Sequence, residues 1–267
     1  MRSIVIPPDI KQHNQTIEVL KDKLAAIRNN IIRMSAVNPD VSIIIPAHNE
    51  EDHILKTLSS LSASCTTKGV EIIVVNNNSG DKTGELAVAA GATCILETKP
   101  GVTAARNTGL QLARGKYILN ADADTIYPSE WIDLMLLPLE DDTIAMVYGN
   151  FSFIPSPGKS RMIYIGYEYL SGFFKWLNKK FRDQAVNIYG FNSAFRRTEG
   201  IAVGGFDHPA GTNEDGWLGI KLRNTFQKKL YKVTEQRAFA WTSDRRIEMD
   251  GGLYKAILKR FRRHLIE

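Results

Sequence analysis

Short apolar runs alternate with amphipathic segments between residues 40 and 150. Runs rich in β-branched residues at 41–45, 71–75, 93–96 and 116–119 predict four strands. The segments between them, at 51–62, 82–90 and 102–113, have the periodicity of amphipathic helices. This alternation predicts an α/β fold: a mostly parallel, Rossmann-like sheet flanked by helices on both faces.

Helices are also predicted at both ends of the chain. Near the start, one helical face carries six apolar side chains, and we expect it to pack on its own domain because it is too short for a coiled coil. These are Ile17, Leu20, Leu24, Ile27, Ile31 and Met34. Residues 251–267 form a basic amphipathic pattern, typical of a helix on an anionic membrane surface or of a core-packed helix with a solvated basic face.

Length and composition indicate an ordinary globular protein. The chain has 267 residues, of which 43% are hydrophobic and 24% charged, and this favours one main domain. No apolar run is long enough to span a membrane, and residues 1–8 are too short for a secretory signal, so we expect a cytoplasmic protein. The two cysteines, Cys65 and Cys94, lack the spacing of a disulfide framework or zinc site.

The basic residues are concentrated in the last part of the chain. The net charge is +5, whereas the segment from Lys221 onward has 13 Lys or Arg against 5 Asp or Glu. Anionic lipid, a phosphorylated substrate or nucleic acid would each suit this charge. Because no nucleic-acid-binding motif is present, we do not expect a nucleic-acid partner.

Polar clusters follow three of the predicted strands, at 46–50, 76–81 and 122–124. In such sheets ligands bind at the carboxyl ends of the strands. Asp122 and Asp124 end a buried strand, which is typical of a divalent ion bridging to a diphosphate. Alternatively, the two aspartates only begin a turn and cap a helix near Ser129.

Four ordered motifs resemble family 2 nucleotide-sugar glycosyltransferases: VSIIIPAHNEE at 41–51, VVNNNSGDKT at 74–83, GVTAARNTG at 101–109 and DAD at 122–124. The resemblance implies the glycosyltransferase A-type fold, a nucleoside-diphosphate sugar donor and an inverting, metal-dependent mechanism. We expect the chain to divide into an N-terminal helical extension (1–39), a nucleotide-sugar-binding half (40–150), an acceptor-binding half of the same domain (151–250) and the C-terminal helix (251–267).

The resemblance also implies roles for individual residues. Asp124 would bind Mg²⁺ or Mn²⁺, and Asp122 would touch the ion or the ribose. Asn77 stands where many relatives have an aspartate that accepts a hydrogen bond from the base. His48 stands where an aromatic side chain often stacks. The predicted donor-binding residues are Pro46, Ala47, His48, Glu50, Asn77, Arg106, Asp122, Arg245 and Arg246.

Three of the predicted functional groups have simpler alternatives. Arg106 would touch the donor or the aspartate pair, or would be a solvated arginine on a helix. Arg245 and Arg246 would clamp the diphosphate, or would be a solvated charge pair. The motif GTNEDGWL at 211–218 resembles the family's source of the catalytic base, which makes Asp215 the base and Glu214 the substitute, but it is also a good helix N-terminus.

We therefore expect a sugar transferase acting on a hydroxyl acceptor in polysaccharide, glycolipid or cell-envelope glycan synthesis. The aromatic stretch at 162–181 and the basic C-terminus favour a lipid-linked glycan acceptor and a peripheral position on the inner face of a membrane. One alternative is a polyprenyl-phosphate sugar transferase, whose acceptor needs no base. Another is a nucleotide-sugar-binding module without catalysis.

Overall fold

The computed structural model describes residues 2–249, 251–255 and 257–258, with the side chain of Arg246 outside the described part. Within these residues the strands are β1 (Val41–Ala47), β2 (Val70–Asn76), β3 (Thr93–Leu96), β4 (Tyr117–Asn120), β5 (Thr125–Ile126), β6 (Ile144–Tyr148), β7 (Phe151–Ile154), β8 (Ser193–Arg196), β9 (Lys229–Lys232) and β10 (Ala240–Ser243).

The α-helices of the described residues are α1 (Pro8–Lys11), α2 (Ile17–Asp22), α3 (Leu24–Met34), α4 (Ile54–Ser62), α5 (Thr83–Ala89), α6 (Val102–Leu112), α7 (Trp131–Leu136), α8 (Arg161–Phe181), α9 (Arg197–Ala202), α10 (Glu214–Phe226) and α11 (Arg245–Met249). Short 3₁₀ helices lie at Leu137–Glu140, Gln184–Asn187, Gly190–Asn192 and Gln236–Ala238. None of the described helices has the length and apolar character needed to cross a bilayer.

A seven-stranded sheet in the order β3-β2-β1-β4-β8-β6-β9 organises the fold, and a smaller sheet has the order β5-β10-β7. The four predicted strands, β1 to β4, are all present and parallel. β8 is antiparallel to both of its neighbours, β4 and β6, while β6 and β9 are parallel. The prediction of an α/β fold with a mostly parallel sheet is confirmed.

Apolar side chains pack on both faces of the large sheet. Alternate residues of a strand point to opposite faces, and in β1 Ile43 and Ile45 belong to one buried cluster while Ile44 belongs to the other. α4 and α7 cover the first face, and α6 and α10 cover the second. Coverage on both sides explains why the strand reads as a continuous apolar run.

The N-terminal apolar face packs on the domain. Leu20, Ile27 and Ile31 are buried in the same cluster as the first face of the sheet, against α4. The predicted single helix is interrupted at Lys23, which separates α2 from α3. The predicted helix at 251–267 lies largely outside the described residues, and the division of the chain at residues 39, 150 and 250 stays a prediction.

Candidate active site

The polar clusters predicted from the sequence meet at one edge of the large sheet. β1 pairs in parallel with both β2 and β4, so the loops after these three strands are neighbours. They border a cleft of about 530 Å³, which the N-terminal end of α10 and residues 188–191 close on the other side. The predicted residues that line the cleft are Pro46, Ala47, His48, Glu50, Asn77, Arg106, Asp122, Asp124, Asp215 and Arg245.

The loop after β4 places Asp122 and Asp124 in the cleft with side chains 28% and 21% exposed. Two contacts hold the loop. The backbone N–H of Asp122 donates to the buried Tyr127 hydroxyl at 3.0 Å, and the Thr57 hydroxyl donates to the carbonyl of Ala123 at 2.8 Å. The two carboxylates therefore face the cleft on a fixed backbone.

Arg106 is buried, so the interpretation as a solvated arginine is wrong. Its guanidinium donates to Asp122 at 3.1 Å and to the carbonyl of Gly190 at 3.1 Å, and it lies 3.8 Å from the carboxylate of Asp215. Burial lowers the pKa of the guanidinium, but the charges of Asp215 and Asp122 outweigh burial and hold that pKa above its ordinary value. Arg106 thus links the acids on the two sides of the cleft.

Asp215 is the second residue of α10 and is 4% exposed. Asn213 caps this helix, so the motif forms a helix N-terminus and also places an acid in the cleft. Burial raises the pKa of the Asp215 carboxyl to about 7, and the neighbouring charge of Arg106 only partly opposes this effect. The carboxyl can therefore change its protonation near neutral pH.

Arg245 begins α11 and reaches the acids of the cleft. Its guanidinium donates to Glu50 and lies 3.5 Å from Asp124. Burial raises the pKa of the Glu50 carboxyl, and the hydrogen bond from Arg245 opposes this shift. Arg245 is therefore ion-paired with acids of the cleft although its side chain is 39% exposed, and the predicted clamp on a diphosphate stays a prediction. The side chain of Arg246 lies outside the described part of the structure.

Asn77 and His48 shape the end of the cleft formed by the loop after β2. The side-chain amide of Asn77 donates to the carbonyls of Glu97 and Lys99, and its oxygen accepts from the N–H of Gly101 at 2.8 Å. The predicted bond to a base would need the second lone pair of that oxygen. His48 Nδ1 lies 2.7 Å from the carbonyl oxygen of Asn77. The amide therefore has a clear structural role, and its contact with a base stays a prediction.

Three residues at the cleft were missed by sequence reasoning. The rings of Tyr189 and Phe191 stack with centroids 5.6 Å apart and form part of its wall. Between them, a Cβ on Gly190 would lie 2.2 Å from Arg106 Nη2 and 2.3 Å from Asp215 Oδ2, so any other residue at this position would displace these two charged groups. A glycine between two aromatic residues was the available signal, but its importance depends on partners distant in sequence.

The acids of the cleft suit a hard divalent cation. Carboxylate oxygens are the protein ligands that Mg²⁺ and Mn²⁺ prefer, and one or two of them suffice when substrate phosphates complete the coordination. Glu50 Oε2 is buried beside this group without a hydrogen-bond partner in the described structure. Within the same residues no cluster of three or more His, Cys, Asp or Glu side chains forms a ready metal site. The residues present fit an ion held jointly by the aspartate pair and a bound diphosphate.

Comparisons with known proteins agree with this geometry. The chain is 32% identical over 200 residues to the "Probable glycosyltransferase YdaM" of Bacillus subtilis (strain 168), a match that covers 70% of the chain and 47% of that relative. A match to the "Glycosyltransferase AglE" of Haloferax volcanii, at 30% identity, covers 45% of the chain and 42% of that relative. The matched part thus spans less than half of the length of these relatives.

Solved structures share the fold. The mannosyltransferase PcManGT from Pyrobaculum calidifontis, in complex with GDP-Man and Mn²⁺, superposes with a TM-score of 0.57 at 19% identity, covering 95% of this chain and 76% of that one. Glucosyl-3-phosphoglycerate synthase from Mycobacterium tuberculosis, in complex with Mn²⁺ and UDP-Glc, gives a TM-score of 0.51 at 18% identity, covering 79% and 73%. These likenesses show the glycosyltransferase A-type fold. The sequence model of the family "Glycosyl transferase family 2" matches residues 42–199, which is more than half of the sequence. The chain therefore belongs to that family.

Proposed function

We propose that this protein transfers a sugar from a nucleoside diphosphate to a hydroxyl acceptor, with inversion at the anomeric carbon and dependence on Mg²⁺ or Mn²⁺. The observation that carries the proposal is that Asp122 and Asp124 line the same cleft as the buried Asp215. A carboxylate pair for the ion and donor, and a separate acid for the acceptor, are what a direct displacement requires.

The donor half of the mechanism uses the loops after β1, β2 and β4. His48 and Asn77 lie where the nucleoside would bind, and the aspartate pair lies where the diphosphate would bind. When bound, the divalent ion would neutralise the charge that develops on the departing nucleoside diphosphate. Arg245, which contacts Glu50 and lies 3.5 Å from Asp124, would turn its guanidinium to the same phosphate oxygens.

The acceptor half uses Asp215 as a general base. The acceptor hydroxyl would lose its proton to Asp215 as its oxygen attacks the anomeric carbon from the face opposite the leaving group. A pKa of about 7 suits this role, because the carboxylate form is then populated at neutral pH and is basic enough to take a proton. Arg106 would hold the carboxylate in place through its 3.8 Å contact.

The buried carboxyl of Asp215 favours a hydroxyl acceptor over a polyprenyl phosphate. A phosphate nucleophile is already ionised and needs no base, so in that reaction the buried carboxyl of Asp215 would only pair with Arg106. We also propose that the acceptor is a glycan, either free or lipid-linked. The protein would act at the cytoplasmic face of a membrane.

Thermal unfolding in the presence of nucleoside diphosphates and their sugars tests the donor half. A ligand at about 100 times its Kd stabilises the native state by about 2.7 kcal/mol. We expect one diphosphate series to raise the Tm only when Mn²⁺ is present, and Asp124→Ala to abolish that rise. Asp142→Asn, at a side chain that is 92% exposed, is the control and should keep it. A Tm unmoved by every combination would contradict the proposal.

A further inference from the structure

α8 has its polar and apolar faces inverted. Its buried residues are Arg161, Tyr164, Glu168, Ser171, Phe174, Lys175 and Asn178, of which five are polar or charged. Six of its large apolar residues are each at least 53% exposed and are here named the α8 outer face: Met162, Ile163, Tyr169, Phe173, Trp176 and Phe181. A surface helix of a globular domain normally shows the opposite pattern.

The buried polar contacts fix this orientation. Glu168 is fully buried between Arg2 and Arg161, with N–O distances of 2.9 and 2.8 Å, and accepts from the N–H of Phe153. Rotating the helix to bury the outer face would move Glu168 away from Arg2 and from the N–H of Phe153. These groups would then lose their partners. The outer face is therefore a fixed feature of the folded domain.

The charges beside the outer face are positive. Lys179 and Lys180 are exposed at the C-terminal end of α8, and the Lys180 ammonium lies 5.1 Å from the centre of the Trp176 ring. The one acid between residues 161 and 182 is Glu168, which is buried. A second copy of this face would therefore offer no carboxylate to the lysines, whereas an anionic lipid surface supplies both negative charge and an apolar layer.

We propose that the α8 outer face seats the protein on an anionic phospholipid bilayer. Aromatic side chains flanked by lysines are the composition of helices that lie in the interface plane of a membrane. A contiguous exposed apolar patch on a soluble domain marks an interaction site. The proposal concerns a surface of the folded domain and does not depend on the basic residues at 259–267.

The same helix supports the wall of the cleft. On its inner side, the ammonium of Lys175 lies 4.7 Å from the centre of the Tyr189 ring, and Tyr189 lines the cleft. A bilayer against the outer side of α8 would thus be separated from the Tyr189 side of the cleft by this one helix. This step rests on the proposed function: it assigns the acceptor to the class of lipid-linked molecules that reach the cleft from the membrane.

Flotation of the full chain with vesicles tests the surface without donor, metal or acceptor. We expect binding to vesicles of phosphatidylcholine with phosphatidylglycerol and little binding to phosphatidylcholine alone. The double variant Phe173→Ser/Trp176→Ser should bind the acidic vesicles about tenfold more weakly, since two aromatic anchors are lost. Lys179→Gln/Lys180→Gln should reduce the preference for the acidic vesicles. Val88→Ser/Leu112→Ser, at residues 55% and 47% exposed elsewhere, is the matched control and should bind as the wild type does.

Three outcomes would overturn the proposal: no vesicle binding, equal binding by the Phe173/Trp176 variant, or a dimer in light scattering that the same variant dissociates. The second outcome would assign membrane binding to another segment, and the third would make the face an interface between two copies. A donor-dependent rise in the Tm of the same variant would show that its fold and cleft are intact. Vesicle binding without any donor response would refute the proposed function alone, and the converse would refute this surface alone.

Discussion

Replacing Asp215 by asparagine tests the chemistry most directly. The structure places this carboxyl 4% exposed and 3.8 Å from Arg106, and burial raises its pKa to about 7. If the carboxylate is the base, kcat follows its ionised fraction, which rises from about 0.1 at pH 6 to about 0.9 at pH 8. The wild-type kcat should therefore increase by about tenfold between these two pH values.

Asparagine has the same shape but cannot accept the proton. We expect Asp215→Asn to lower kcat by about 10²- to 10⁴-fold with little change in donor binding, which is the usual contribution of a general base. Glu214→Gln is the matched control, because Glu214 is adjacent on α10 and also lines the cleft. It should keep most of the wild-type turnover. The assay is the release of nucleoside diphosphate during transfer, at saturating donor, across pH 5.5 to about 8.5.

Stability gives a second readout with a defined sign. The folded-state pKa of Asp215 is raised above its ordinary value of 3.8, so the protonated form is favoured by folding. Its contribution to the free energy of unfolding is full below about pH 4 and is lost as the pH rises through about 7. Asp215→Asn should therefore raise the Tm relative to wild type at pH 8, and the difference should shrink toward pH 5.

Two results would refute this reasoning. A pH profile of kcat that is flat between pH 6 and 8 would show that the ionisation of Asp215 does not limit turnover. Near wild-type activity of Asp215→Asn would remove the base from the mechanism and favour an acceptor that is already ionised, as in a polyprenyl-phosphate sugar transferase.

Two further substitutions test the charges around this group. The buried guanidinium of Arg106 contacts Asp122, and its charge lowers the pKa of Asp215. Arg106→Met removes this charge, so it should destabilise the fold by about 3 kcal/mol in chemical denaturation. The pKa of Asp215 should rise, which shifts the acid limb of the kcat profile to higher pH. An acid limb at the wild-type position would leave Arg106 a purely structural role. Arg245→Ala removes a half-exposed contact to Glu50 and Asp124, so it should reduce kcat by about tenfold or more while changing the Tm little; unchanged kinetics would remove Arg245 from the diphosphate site.

The central part of the fold could be predicted from the sequence. The apolar runs of β1, β2 and β4 are buried on both faces, and such strands have a local signature that does not depend on distant contacts. The antiparallel strand β8 could not be predicted in the same way, because Ser193–Arg196 is short and takes its place through pairing with both β4 and β6.

The candidate site was predicted in its residue types but not in its electrostatics. The acids of the cleft, Asp122, Asp124 and Asp215, stand in motifs that are recognisable along the chain. The pKa of Asp215 could not be predicted, since it depends on the burial of the carboxyl and on Arg106, which lies 109 residues earlier in the chain.

The family, the parallel core of the sheet and the acids that line the cleft could be predicted from the sequence alone, because strand periodicity and short motifs are local properties of a chain. Which charges are buried follows from the tertiary fold. It brought Arg106, Gly190 and Asp215 together from three separate segments, and it turned the charged side of α8 inward and its aromatic side outward. Burial and charge pairing depend on what packs opposite each side chain, and that is settled only when distant segments meet.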